Sequence, residues 1–147
     1  MIDQNIFNRN LDFIGVKGMV FIDGKIIVIR RDNNTKIFPL RIDLPGGGRE
    51  KGESPFETFK RELKEELSID INEEDILFAY LYGDETYKEH LAYFMVTKNL
   101  NIKKEYVVLG NEGLEFKFIS PEEFIDLDDS IIHLQSEVKK YLNSIKK

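Results

Sequence analysis

Residues 47–69 constrain the fold of this chain more than any other part of its sequence. They read GGREKGESPFETFKRELKEELSI, a glycine-rich start followed by a run rich in carboxylates. Ser54 suits the N-cap of a helix, Pro55 its first position, and Glu57 the reciprocal position of a capping box. We therefore predict a helix from Pro55 to Leu67.

This predicted helix has two different faces. Glu62, Glu65 and Glu66 lie three and four residues apart, so at about 100° per residue they share roughly a 100° arc. Like charges at these spacings repel each other, and a hard divalent cation held by oxygen ligands would relieve the repulsion. The apolar residues share a separate arc, which we expect to face the core: Phe56, Phe59, Leu63 and Leu67.

The composition indicates one globular domain spanning residues 1–147. The chain is 41% hydrophobic and 33% charged, and it contains no cysteine, which excludes disulfides and cysteine-ligated zinc. It has no apolar run long enough to span a membrane and no signal-peptide pattern at its N-terminus. Its net charge of −6 argues against a general nucleic-acid-binding surface. We expect a cytoplasmic enzyme that binds neither nucleic acid nor membrane.

The remaining sequence alternates between strand and helix patterns. Residues 13–31 hold two β-branched runs around Asp23-Gly24, a strong hairpin sequence. Residues 37–44 predict a third extended segment, and the PGGG run at 45–48 predicts a loop that a ligand can approach closely. Further on we predict strands at 76–82, 91–97 and 115–119, a short helix opened by Ser120-Pro121, and a final helix starting at Asp129 or Ser130. Because this order lacks a regular βαβ alternation, we predict an α+β fold with a mixed sheet between helices.

The helix and the glycines before it resemble the Nudix box. That family pattern is Gly, five residues, Glu, seven residues, then Arg-Glu-apolar-x-Glu-Glu-x-Gly-apolar. Gly47, Glu53 and the run from Arg61 to Ile69 match every position except the last glycine, which is Ser68 here. The resemblance implies a Nudix-like α/β/α sandwich over nearly the whole chain. Ser68 either adopts the positive φ of that glycine, at a cost on the order of 1 kcal/mol, or the chain leaves the helix differently.

The resemblance also implies an activity, the hydrolysis of a nucleoside diphosphate linked to another group, with Mg²⁺ or Mn²⁺ as cofactor. A phosphoanhydride carries dense negative charge, so breaking it needs cations at its oxygens and an activated water. We favour a nucleoside triphosphate or a modified nucleotide as the small-molecule substrate. We expect a monomer or a homodimer, since dimers are common in the family.

Within the box, the resemblance gives each residue a candidate role. Glu62 and Glu66 are the firmest metal ligands, and the backbone carbonyl of Gly46 or Gly47 would complete the metal shell. Glu65 is either a third ligand or the general base, and the base could also be Glu62 or a downstream acid.

Two further residues of the box have supporting roles. Glu53 is a candidate ligand for a further metal in the substrate complex. Arg61, four residues from both Glu57 and Glu65, is expected to orient a glutamate rather than touch substrate. The plain alternative is a solvated helix face stabilised by Glu57–Arg61 and Arg61–Glu65 pairs.

Outside the box, several basic, acidic and aromatic residues are candidates for contact with the substrate or the metal. Arg30 and Arg31 could be cations near a phosphate site, or simply a solvated strand end. Of two acids beyond the box, we favour Glu112 over Glu115 as an additional site residue, because loops carry function. Tyr87 lies near the position of a tyrosine in dinucleoside polyphosphate hydrolases of the family. Tyr87, Tyr80 or Tyr82 could stack on a nucleobase, and core packing is the alternative role for each.

Two other functions stay open. A non-catalytic Nudix-like module that binds nucleotide for regulation would be expected to carry a damaged box, and neither Glu62 nor Glu66 is lost. An isomerase or an RNA-end-processing relative would usually bring longer extensions than 147 residues allow.

Overall fold

The computed structural model describes residues 2–83 and 91–146. Within these residues, seven strands form one sheet: β1 (Gly15–Ile22), β2 (Lys25–Arg30), β3 (Ile42–Asp43), β4 (Gly46–Gly48), β5 (Ile76–Tyr82), β6 (Ala92–Asn99) and β7 (Glu115–Ile119). Three α-helices accompany them: α1 (Pro55–Leu67), α2 (Pro121–Asp126) and α3 (Ile132–Ile145).

The sheet is mixed, as the sequence predicted. Its main path runs β3-β2-β1-β6-β5, while β4 pairs with β1 and β7 pairs with β2. The β1–β6 pair is parallel, and the other strand pairs are antiparallel. The predicted hairpin is confirmed, because β1 and β2 pair around Asp23 and Gly24, which both have positive φ.

Two hydrophobic cores cover the two faces of the sheet. One core packs α1, through Phe59 and Leu63, against residues such as Val16 and Val20 of β1. The other packs α2 and α3 against the opposite side of the same strand, where Met19 points, because successive strand residues face opposite ways. This arrangement confirms the α/β/α sandwich.

Helix α1 begins as its sequence predicts. The Ser54 side chain accepts a hydrogen bond from the Glu57 backbone N–H, and the Glu57 side chain accepts one from the Ser54 N–H. The helix ends at Leu67, and the next residue, Ser68, takes the left-handed conformation at φ 59° and ψ 30°. The serine therefore adopts the positive φ that the glycine of the family pattern would supply, rather than leaving the helix by another path.

Residues 37–48 differ from the prediction. Of the predicted extended segment 37–44, only Ile42 and Asp43 form a strand, because Phe38 and Leu40 take positive φ and turn the chain. The predicted loop at 46–48 is a short strand, since it pairs in register with residues 15–17 of β1. The glycine run thus forms an edge of the sheet facing α1.

The final helix also starts later than predicted, at Ile132 rather than at Asp129 or Ser130. The Ile42 N–H donates to the Asp129 carbonyl at 2.8 Å, and the Ile131 N–H donates to the Ile42 carbonyl at 3.0 Å. These bonds hold residues 129–131 in an extended path beside β3. Across the described parts of the chain, no helix is long and apolar enough to cross a membrane.

Candidate active site

The acidic face of α1 lies against β4. The Gly46 backbone N–H donates to the Glu66 Oε1 atom at 2.9 Å. Glu62 lies one turn earlier, and a Cβ built on Gly47 would stand 2.5–2.7 Å from three atoms of its carboxyl group. Real Cβ atoms do not approach other atoms so closely, so any larger residue at this position would have to displace the Glu62 carboxyl group. The structure therefore brings Glu62, Glu66, Gly46 and Gly47 together.

Burial leaves these two glutamates short of compensating charge. Desolvation raises the pKa of Glu66 to about 8, although the positive charge of Lys17 and the Gly46 N–H act in the opposite direction. Burial likewise raises the pKa of Glu62, against the effect of the Arg61 guanidinium. Paired half-buried carboxylates of this kind favour a cation close to their oxygens.

Arg61 holds the other carboxylates of the box in place. Its Nε donates to Glu53 Oε2 at 2.7 Å, and its Nη1 donates to Glu62 Oε1 at 3.0 Å and Glu65 Oε2 at 3.1 Å. Its Nη2 reaches the Gly48 carbonyl at 2.8 Å. One guanidinium thus joins three glutamates to β4, which is the orienting position predicted from the sequence.

Glu57 does not pair with Arg61, contrary to the alternative reading of the helix as a simple ladder of ion pairs. Its carboxylate instead accepts two hydrogen bonds from Arg9, at 2.9 and 2.8 Å. The capping role of Glu57 turns its side chain back toward the helix start, where Arg9 can reach it and Arg61 cannot.

Glu53 is fixed from several sides. Thr58 Oγ1 and the Glu50 backbone N–H donate to its Oε1 at 3.0 and 2.8 Å. Burial alone would raise the pKa of Glu53, but the hydrogen bonds from Arg61, Glu50 and Thr58 lower it below its ordinary value. Glu65 is different, since its side chain is 58% exposed and accepts a hydrogen bond from Arg61.

Sequence reasoning missed Asp43 and Lys17 beside this cluster. Asp43 is buried, with 4% of its surface exposed, and its Oδ2 accepts from Lys17 Nζ at 2.8 Å and from Arg31 Nη1 at 2.7 Å. Its Oδ1 accepts from the Leu44 N–H at 2.8 Å. Two features of the sequence could have indicated these residues: Lys17 is a lone lysine in the apolar run GVKGMVFI, and Asp43 is a lone acid between Ile42 and Leu44.

A cavity of about 280 Å³ opens next to the glutamates. Arg31, Asp43, Glu66 and Glu112 are among the residues that line it. Glu112 reaches the cavity because its loop folds over the end of α1, where the Gly110 N–H donates to the Glu66 carbonyl at 2.8 Å. The structure thus brings two of the residues predicted outside the box, Arg31 and Glu112, to the same cavity as Glu66.

Arg30, another predicted residue, does not join them. Arg30 turns away, and its guanidinium donates to Asp129, to Glu115 and to the Leu40 carbonyl. Tyr87 lies outside the described residues.

A second cavity, of about 430 Å³, has an aromatic lining. The His133 ring lies 5.7 Å from the Phe38 ring and 6.5 Å from the nearly parallel Tyr82 ring, measured between centroids. Burial and the negative charges of Glu137 and Asp43 raise the pKa of Tyr82. Arg31, in the wall of the smaller cavity, donates to the carbonyl of Ile37 at 3.1 Å, and the next residue, Phe38, lines the aromatic cavity, so the two cavities lie near each other.

The residues of the cluster fit a small hard cation. Mg²⁺ is usually bound through one or two carboxylates and keeps its other positions for water and phosphate. Glu62, Glu66 and a backbone carbonyl of β4 match that donor set. Among residues 2–83 and 91–146, no group of three or more His, Cys, Asp or Glu side chains is close enough to form a complete metal cage.

A mixed sheet between helices, with an acidic helix seated on a glycine strand, is the architecture of the Nudix-type sandwich. The family model described as the NUDIX domain matches residues 15–140. This chain belongs to the NUDIX family.

Known relatives agree with that assignment. An uncharacterised Nudix hydrolase of Nostoc sp. is 33% identical over 105 residues, which cover 70% of this chain and 60% of that protein. The nucleoside triphosphatase NudI of Salmonella arizonae is 26% identical over 110 residues, which cover 69% of this chain and 77% of that protein.

Solved structures share the fold. A MutT protein from Methanosarcina mazei superimposes with a TM-score of 0.75 at 22% identity, over 94% of this chain and 99% of that one. An Ap4A hydrolase from C. elegans superimposes with a TM-score of 0.68 at 17% identity, over 90% of this chain and 98% of that one.

Proposed function

We propose that this protein hydrolyses a phosphoanhydride bond in a nucleoside diphosphate derivative, with Mg²⁺ or Mn²⁺ as its cofactor. The observation that carries the proposal is the pair of half-buried carboxylates, Glu62 and Glu66, seated on the backbone of β4. Membership of the NUDIX family and the name of the NudI relative, a nucleoside triphosphatase, support the same chemistry.

Glu62, Glu66 and the carbonyl of Gly46 or Gly47 would hold the cation. When bound, such an ion neutralises phosphate charge and lowers the pKa of a water molecule. Arg61 keeps Glu53 and Glu62 in fixed positions, so that their oxygens need no reorganisation when substrate binds. Glu62, Glu65 and Glu112 are the candidate acceptors for the proton of the attacking water.

The two cavities suggest how a nucleotide would lie. Arg31 supplies a guanidinium at the wall of the smaller cavity, and a guanidinium suits phosphate oxygens. The aromatic cavity beside it offers Phe38, Tyr82 and His133 to a nucleobase, which can stack on such rings. We therefore favour a nucleoside triphosphate or a modified nucleotide as substrate. We also propose that the protein acts in the cytoplasm as a single domain, either as a monomer or as a homodimer.

A panel of nucleotides tests the proposal directly. Purified protein is incubated with nucleoside triphosphates, oxidised nucleotides, nucleotide sugars and dinucleoside polyphosphates, with Mg²⁺, with Mn²⁺ and with EDTA. We expect metal-dependent release of a nucleoside monophosphate, with phosphate or pyrophosphate resolved by chromatography, and no release in EDTA. Calorimetric binding of nucleotides without turnover of any of them would favour the non-catalytic regulatory module instead.

A further inference from the structure

Lys17 places a positive charge inside the acidic cluster. It lies in the middle of β1, opposite Gly46 in the β1–β4 register, and its side chain is only 20% exposed. Its Nζ atom lies 2.8 Å from Asp43 Oδ2, 3.3 Å from the Leu44 carbonyl and 3.4 Å from the Gly46 carbonyl. The ammonium group therefore faces the backbone that carries the candidate metal ligands.

Asp43 has a second cationic partner besides this lysine. Its carboxylate already accepts a shorter hydrogen bond from Arg31, at 2.7 Å, and another from the Leu44 N–H. Lys17 and Arg31 both pair with Asp43, so the two cations together exceed its single negative charge by one positive charge. Gly46 connects Lys17 to the acids of α1, because its carbonyl accepts from Lys17 Nζ at 3.4 Å and its N–H donates to Glu66 Oε1 at 2.9 Å.

We propose that Lys17 is a built-in cation of the metal site that limits how strongly, or in what number, divalent ions bind there. This inference rests on the proposed function. Its ammonium contacts the Gly46 carbonyl, one of the oxygens proposed for the divalent ion, and it compensates part of the negative charge that attracts that ion. A fixed unit charge a few ångströms from a divalent cation repels it strongly when water is partly excluded.

The test measures metal binding itself rather than activity. Mn²⁺ binding is measured by isothermal titration calorimetry and by the electron paramagnetic resonance signal of free Mn²⁺, without nucleotide. The variants are Lys17→Met, which keeps the side-chain length without the charge, and Lys17→Arg, which keeps the charge. Lys25→Met is the matched control, because Lys25 is an exposed lysine at the start of β2.

We expect Lys17→Met to bind Mn²⁺ at least about tenfold more tightly than wild type, or to bind an additional ion. Lys17→Arg should stay close to wild type, and Lys25→Met should change affinity by no more than about twofold at physiological salt. Circular dichroism and thermal unfolding confirm that each variant is folded. If Lys17→Met does not fold, Lys17→Gln replaces it.

Each other outcome has a definite meaning. Unchanged or weaker binding by Lys17→Met overturns the inference and leaves the proposed function standing. Tight binding by Lys17→Arg as well as Lys17→Met also overturns it, because the charge would then not be the cause. Binding by Lys17→Met alone, with none by wild type, supports it. Absence of binding by wild type and by every Lys17 variant contradicts both the inference and the metal-dependent function.

Discussion

The carboxyl group of Glu62 lies directly against the Cα atom of Gly47, so close that a Cβ there would stand 2.5–2.7 Å from three of its atoms. This contact brings the end of the Glu62 side chain against β4, and it places a proposed metal ligand beside the carbonyls of the glycine strand. The position of the Glu62 carboxyl group in the candidate site depends on that contact.

Replacing Gly47 with alanine should therefore displace Glu62. We expect kcat/KM for the preferred nucleotide to fall about 100-fold, because a shift near 1 Å in a reacting group can have that effect. Gly48→Ala is the matched control, since the nearest atom to its added Cβ is the Ile14 carbonyl oxygen at 3.9 Å. Equal activity of the two variants would contradict the importance of the Glu62–Gly47 contact.

We expect Arg61 to affect metal binding and catalysis indirectly, through the glutamates to which it donates hydrogen bonds. Arg61→Met leaves Glu53, Glu62 and Glu65 without their shared guanidinium, and we expect metal affinity or kcat/KM to fall about 10- to 100-fold. Arg61→Lys should not restore the activity, because an ammonium cannot reproduce the forked geometry. Lys64→Met, an exposed change in the same helix, serves as the control. If Arg61→Met hydrolysed substrate at the wild-type rate, Arg61 would have no positioning role.

Ser68, at the end of α1, allows a test of protein stability that is separate from catalysis. Its φ of 59° is strained for serine and easy for glycine, so Ser68→Gly should raise the free energy of unfolding by about 0.5–1 kcal/mol. Ser68→Ala should bring no such gain, because alanine has the same difficulty at positive φ. Urea unfolding measures both variants. Equal stability of the glycine and alanine variants would show that the helix end carries no strain.

Glu57 should give a pH-dependent contribution to stability. Hydrogen bonds from Arg9 and from the Ser54 N–H lower the pKa of Glu57 from 4.5 to about 2. A lowered pKa in the folded state means that the stabilisation is complete above pH 4.5 and is lost as the pH falls toward 2. We expect Glu57→Gln to lose about 1 kcal/mol of unfolding free energy at neutral pH, and progressively less in acid.

Thermal unfolding of Glu57→Gln and wild type across this pH range gives the comparison. Glu122→Gln removes an exposed acid from the first turn of α2 and controls for the charge alone. A constant difference between Glu57→Gln and wild type at every pH would contradict the assignment.

Local sequence signals predicted the part of the site that lies on one helix. Ser54, Pro55 and Glu57 fix where α1 starts, and the spacing of Glu62 and Glu66 then decides which face they share. These features depend on neighbours within one or two turns, so the sequence contains them directly.

The rest of the site depends on contacts between distant residues. Lys17 contacts Asp43 because β1, β3 and β4 lie together in the sheet. No local sequence pattern indicates that these two residues are partners. Arg30 and Arg31 are adjacent, but successive residues of an extended chain point to opposite sides, so only Arg31 lines the cavity beside Glu66. The turn at Phe38 and Leu40 is likewise unexpected for bulky residues, and the Arg31 and Arg30 side chains hold it by donating to the carbonyls of Ile37 and Leu40.

Glu66→Gln tests whether Glu66 is a ligand of an essential divalent cation. The variant should remain folded, since losing a half-buried charge does not harm packing. Mn²⁺ titration by calorimetry and hydrolysis of the best substrate from the nucleotide panel are measured on the same preparations. We expect loss of high-affinity metal binding and a fall in kcat of at least about 1,000-fold. Wild-type metal affinity together with wild-type turnover in Glu66→Gln would show that Glu66 is not a ligand of an essential cation.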